Sequence, residues 1–157
     1  MAEIAQENIG GRVIGGNKGD LAPEFDLKNI AGGQLVLSSL RGKAVIIDFW
    51  DTWCPPCKKA LPGLEAISQA YPNDLVVVGI AFGRDGEAKV RQYVTQNKLT
   101  FPMVMSDADY KVAKDFGGVQ SIPTTFLVDR NGVIVEKWVG GHSRQEYEDA
   151  VKKVLGS

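Results

Sequence analysis

Cysteine and histidine are nearly absent from this chain: its 157 residues hold two of the first and one of the second. Two cysteines are too few for a disulfide scaffold, and a bridge across so short a loop restrains little of the unfolded chain. A tetrahedral zinc site needs four ligands, which Cys54, Cys57 and a distant His142 do not supply without carboxylates or a second chain. No apolar run approaches the roughly 18 residues of a membrane-spanning helix. The opening residues, 1–8, have no basic region followed by an apolar one, so the sequence as written shows no secretory signal. A cytoplasmic protein and a chain starting after a removed signal or anchor both fit that reading. Charge of one sign is also lacking: 18 Lys and Arg stand against 19 Asp and Glu. Nucleic acid is therefore not an expected partner, and no basic amphipathic stretch suggests a membrane surface. Repeats, low-complexity tracts and linkers are absent too. The expectation is a flexible lead-in over 1–18 and one domain over 19–157.

The two cysteines that are present lie in Trp53-Cys54-Pro55-Pro56-Cys57. They follow an apolar run and precede a helical pattern. Two thiols at that spacing, at a strand-to-helix junction, can open and close a disulfide with little backbone movement. A thiolate is the attacking species in such exchange. A helix N-terminus favours the thiolate, because unpaired amides and the helix dipole stabilise an anion there. Cys54 is thus the expected exposed nucleophile and Cys57, one turn deeper, the resolving thiol. Pro55 and Pro56 carry no amide hydrogen, so they remove two donors that could face the Cys54 sulfur and stiffen the loop. Neither an organic cofactor nor a metal is required.

The surrounding pattern predicts an α/β fold. Phe25–Asn29 and Gln34–Leu37 alternate around Ala31-Gly32-Gly33 as a hairpin. Lys43–Phe49 and Leu75–Phe82 read as buried strands, joined by a helix over Pro55–Ala70 with a kink at Pro62. A helix over Glu87–Asn97, a strand over Phe101–Ser106 and a short helix over Tyr110–Phe116 follow. Thr124–Val128 and Val133–Val139 form a second hairpin across Asn131-Gly132. The last helix opens at Ser143, whose capping-box partner is Glu146. A right-handed crossover makes the first two long strands parallel neighbours. Active groups in such sheets lie past the carboxyl ends of strands, where Cys54 falls.

Asp48 interrupts the first of these strands. If buried, its pKa rises and it suits a proton acceptor for Cys57; the alternative is a side chain turned to solvent or bonded to a loop. Trp53 is expected at the mouth of the site and Trp50 in the core. His142 reads as a loop residue, and Lys58 and Lys59 as a solvated helix face.

Three segments, in order, resemble the TlpA/ResA-like thiol–disulfide oxidoreductases of the thioredoxin fold. Phe49 to Lys58 is similar to their active-site segment. Gly19 to Phe25 with Leu37 to Lys43 is similar to the N-terminal hairpin shared with peroxiredoxin relatives. Ser121 to Asp129 is similar to their cis-proline loop and following strand. The resemblance covers about residues 19–155. It implies a thioredoxin-like sandwich, a mixed sheet flanked by helices, with an added N-terminal hairpin. It implies a cis Pro123 packed against a Cys54–Cys57 disulfide, with the backbone beside it at Ile122 pairing with substrate. Asp48 matches a buried aspartate of thioredoxins. Protein disulfides are the implied substrates, reduction the implied direction, and a membrane thiol transporter the implied electron donor. An extracytoplasmic location follows from the same likeness, and a monomer is expected. Two departures stand out. Asp51 replaces a commonly small residue, and Phe82-Gly83-Arg84-Asp85 lacks the glutamate that some ResA-like members carry, which weakens the case for apocytochrome specificity. A thiol peroxidase is the first rival, although Thr52 and Pro55 match that chemistry poorly; a Cu(I) carrier using the soft thiolate pair is the second.

Overall fold

The computed structural model describes residues 8, 9 and 11–156. A small hairpin of β1 (Asn8–Ile9) and β2 (Arg12–Val13) comes first, then a second of β3 (Asp26–Lys28) and β4 (Gln34–Val36). The central sheet contains β5 (Ala44–Trp50), β6 (Leu75–Ala81), β7 (Met103–Met105), β8 (Thr124–Val128) and β9 (Ile134–Val139) in the order β7-β6-β5-β8-β9. β5, β6 and β7 are parallel, and β8 runs antiparallel to both its neighbours, β5 and β9. Helices α1 (Pro55–Ala70), α2 (Glu87–Gln96), α3 (Lys111–Asp115) and α4 (Arg144–Leu155) cover its faces. This is the mixed, helix-flanked sheet with an added hairpin that the sequence predicts.

All seven residues of β5 are buried, as a strand covered on both faces requires. Strand side chains alternate, so Ile46, Asp48 and Trp50 share one face and Val45, Ile47 and Phe49 the other. The first face packs on Cys57, Leu61, Leu64 and Ile67 of α1 and Tyr147 and Val151 of α4. The second packs on Phe25, Leu27 and Leu37 around the β3–β4 hairpin and on Phe116 after α3. Each fully buried aliphatic side chain of α1 contributes about 1.5–3 kcal/mol. Gly79 on β6 is required by packing: a Cβ there would sit 2.7 Å from the Met103 sulfur. That space lets the Trp50 indole donate to the same sulfur at 3.0 Å. Trp50 is thus the core residue expected.

Several boundaries differ from expectation for local reasons. α3 begins at Lys111 because Asp109 (φ 56°) and Tyr110 (φ 53°) are left-handed and break the helical geometry before it. β7 is three residues long, since only Gly79–Ala81 of β6 face it in register. α1 runs through Pro62 as one helix. Of the expected lead-in over 1–18, residues 1–7 and 10 lie outside the described residues; closer to β3, Gly19 donates to the Ile134 carbonyl and Leu21 bridges Ile14 and Val133. Ser143 and Glu146 form the full reciprocal capping box. Among the described residues, no helix is long and apolar enough to cross a membrane.

Candidate active site

β5 ends at Trp50, and a short loop carries the chain into α1, whose N-cap is Cys54. Pro55 and Pro56 occupy the first two helical positions, where a missing amide removes no intrahelical bond. Cys54 and Cys57 form a disulfide with a Cα separation of 5.3 Å. The Cys57 amide donates to the Cys54 sulfur at 3.3 Å, so the sulfur takes the place of an N-cap oxygen.

The sequence suggests an exposed Cys54; the structure corrects this. Cys54 is 3% exposed and Cys57 0%. The Ile122 carbonyl oxygen lies 3.6 Å from the Cys54 sulfur and helps cover it. An oxidised sulfur has no hydrogen to donate, so this contact becomes an S–H···O bond only after reduction. The Ile122–Pro123 peptide is cis, and Pro123 is buried. The sequence separation of 68 between Cys54 and Ile122 is bridged because β8 lies antiparallel to β5, bringing the start of β8 to the end of β5.

Asp48 sits on the α1-covered face of the sheet, between Gly79 of β6 and Thr125 of β8. It is fully buried. The Thr125 hydroxyl donates to its Oδ1 at 2.7 Å, and its Oδ2 has no hydrogen-bond partner. Burial pushes its pKa from 3.8 up to about 7, against a smaller lowering by the Thr125 bond. A carboxyl with that value exchanges protons near neutrality.

Asp51, read from sequence as an added charge, is a buried cross-tie. Its Oδ1 accepts from the Thr52 amide at 2.8 Å; its Oδ2 accepts from the Trp53 indole and the Arg84 amide, both at 2.9 Å. It therefore joins the cysteine loop to the loop after β6. The Thr52 bond is local and detectable from an aspartate at a strand end. The Arg84 bond spans 33 residues and has no local signal. Trp53 is 43% exposed at the rim, with the Arg84 guanidinium 4.4 Å from its ring centroid.

Two clefts flank the disulfide. One, of about 600 Å³, is lined by Trp53, Phe82, Tyr110 and Ile122 with Arg84 and Lys114. The other, of about 820 Å³, runs along Pro55, Pro56 and Lys59 against His142 and Arg144. His142 is the loop residue expected, and its Nδ1 lies 3.0 Å from Glu146. Lys59 is exposed, but Lys58 is half-buried and lies over the Tyr93 ring, because the start of α1 packs near α2. Among the described residues, no three His, Cys, Asp or Glu side chains converge as a metal-binding group.

Known proteins are similar to this chain in sequence and fold. The thioredoxin-like protein YneN of Bacillus subtilis is 35% identical over 141 residues, covering 86% of this chain and 79% of that one. The thiol-disulfide oxidoreductase ResA of Bacillus anthracis is 32% identical over 136 residues, covering 87% and 78%. The crystal structure of a thiol:disulfide interchange protein of the thioredoxin family from Chlorobium tepidum superposes with a TM-score of 0.80 at 28% identity, covering 89% of this chain and 99% of that one. The AhpC/TSA family model matches residues 18–137. With a thioredoxin-like sheet and a Cys-Pro-Pro-Cys pair at the end of its central strand, the chain belongs to the AhpC/TSA family.

Proposed function

We propose that this thiol–disulfide oxidoreductase works as a reductase of protein disulfides, with Cys54 as nucleophile and Cys57 as resolving thiol. The supporting observation is the sparse set of donors at Cys54. Of the first three helical residues, only Cys57 offers an amide, and it bonds the sulfur at 3.3 Å. A strong oxidant has a stabilised reduced form. Here the two prolines withhold donors from the thiolate, leave the reduced form less stabilised, and favour giving electrons away.

The Cys54 thiolate attacks a substrate disulfide, forms a mixed disulfide and releases the first substrate thiol. Asp48 takes the Cys57 proton. The Cys57 thiolate then attacks Cys54, closing the Cys54–Cys57 bond and releasing the second substrate thiol. Two electrons pass to the substrate, and the protein is left oxidised. Pro123 and the Ile122 carbonyl shape the place where substrate backbone lies. By its likeness to ResA-like proteins the enzyme works outside the cytoplasm, as a monomer, and is re-reduced by a membrane thiol transporter.

Catalysed reduction of insulin in the presence of dithiothreitol tests the reading. Turnover well above that of dithiothreitol alone supports it, and no acceleration overturns it. The donor argument makes a separate prediction. Pro56→Ala restores an amide at the second helical position, where N-cap acceptors find donors. One added bond to a charged sulfur, about 1.5 kcal/mol, raises the reduction potential by roughly 30 mV. Equilibration against glutathione measures that shift.

A further inference from the structure

The cleft beside Trp53 combines an apolar floor with two exposed cations, Arg84 and Lys114. Ile122 lines it, and the carbonyl of the same residue lies 3.6 Å from the Cys54 sulfur, so the cleft opens beside the reacting atoms. Its apolar surface is supplied by Trp53, Phe82 and Tyr110 as well as Ile122. Tyr110 is 50% exposed, its ring stands edge-on to Phe82 at 5.5 Å, and its backbone is left-handed. An exposed tyrosine held in a disfavoured backbone conformation at the wall of a site is a common mark of a functional surface.

The lining charges are Arg84, Lys114 and Asp51. Asp51 presents no free acceptor to a ligand: it is buried, and both its oxygens are occupied by N–H donors of Thr52, Trp53 and Arg84. The cations differ. Lys114 is exposed, and the Arg84 side chain is 61% exposed over the Trp53 ring. The Arg84 Nε lies 3.6 Å from an Asp85 oxygen, in a half-exposed pair that contributes little. The guanidinium offers five N–H donors in a planar fork that suits a carboxylate.

We propose that this cleft selects protein disulfides whose cysteine is flanked by an apolar side chain and an acidic one, with Arg84 as the specificity-determining residue and Lys114 as a second cation. Asp51 is a positioning residue in this scheme. By holding the Arg84 amide and the Trp53 indole on one carboxylate, it keeps the guanidinium over the ring of Trp53, the residue before the nucleophile. The occupant is an extended segment of a substrate protein: apolar contact fills the floor, and the carboxylate answers the two cations. The proposal rests on Cys54 exchange as described above.

The test uses the reduced full chain and a set of peptide disulfides. The peptides are identical except for Glu, Gln or Lys next to a phenylalanine beside the reactive cysteine. Wild type is expected to favour the Glu peptide over the Lys peptide in kcat/KM by about fivefold, and less at high salt. Arg84→Glu should invert the order, and Lys114→Glu should reduce the ratio. Lys43→Glu makes the same change in charge at the other end of β5 and should leave the ratio as in wild type. Exchange with all three peptides at equal rates, or an Arg84→Glu ratio equal to that of wild type, overturns the proposal alone. Failure of wild type to exchange with any peptide overturns the exchange reading and this proposal with it.

Discussion

Cys54→Ser is expected to abolish disulfide exchange, and Cys57→Ser to stop it after a single attack with the substrate still attached. The two variants differ because the sulfurs occupy different places. Cys54 is the N-cap of α1 and has the only measurable exposure of the pair; Cys57 lies a turn inside, under the first core face. Removing Cys54 leaves no sulfur that substrate can reach, so the rate falls to that of buffer thiols. Removing Cys57 leaves the attack intact but deletes the thiol that breaks the mixed disulfide. Denaturing gels without reductant, followed by mass spectrometry, should show a stoichiometric adduct on Cys54 in the Cys57→Ser protein. An adduct on Cys57 in the Cys54→Ser protein, or full turnover by Cys57→Ser, contradicts these roles.

Asp48→Asn is expected to stabilise the folded protein and slow the enzyme. Burial raises the Asp48 pKa from 3.8 to about 7, with the Thr125 bond acting against it. The folded state therefore holds a proton that the unfolded state has lost. Stability from this group is complete below about pH 4, falls as pH rises through the folded value near 7, and is flat beyond it. At pH 8 the ionised, buried carboxylate costs the fold up to about 4 kcal/mol. Asn keeps an oxygen for the Thr125 hydroxyl and cannot ionise. Its gain in urea unfolding should therefore be large at pH 8 and vanish near pH 4. The same change removes a proton acceptor, and resolution of the mixed disulfide should slow roughly 100-fold. Thr125→Val acts in the opposite sense on the carboxyl. It deletes the bond that favours the ionised form, so the Asp48 titration followed by carbon NMR should move above its wild-type midpoint. A gain in stability independent of pH would contradict the buried-carboxyl account.

The features legible in the sequence are those with a short-range signature. The Cys54–Cys57 pair is marked by spacing, and the first helix by a double proline and apolar residues at helical intervals. The last helix is marked by Ser143 and Glu146, and β5 by an apolar run that makes Asp48 conspicuous. Ile122-Pro123 could be placed through its resemblance to a known loop, and the cis peptide agrees with that. What escaped notice depends on contacts between distant segments. From the sequence Asp51 is only an added charge near the active loop, because its Arg84 partner arrives from the loop after β6. Thr125 meets Asp48 only through the antiparallel register of β8 on β5. The shortened α3 follows from two left-handed residues, Asp109 and Tyr110, that no propensity scale marks as such. The burial of Cys54 has the same origin, since the Ile122 carbonyl that covers it comes from a segment 68 residues away.

The proposed reductase needs a Cys54–Cys57 pair poised to give electrons to protein disulfides. Its most direct test is the reduction potential of that pair, measured by equilibrating the protein with glutathione or dithiothreitol buffers and quantifying the dithiol by alkylation. A value close to that of thioredoxin, about −270 mV, is expected; a value near −120 mV, where strong oxidants lie, would overturn the reductase reading.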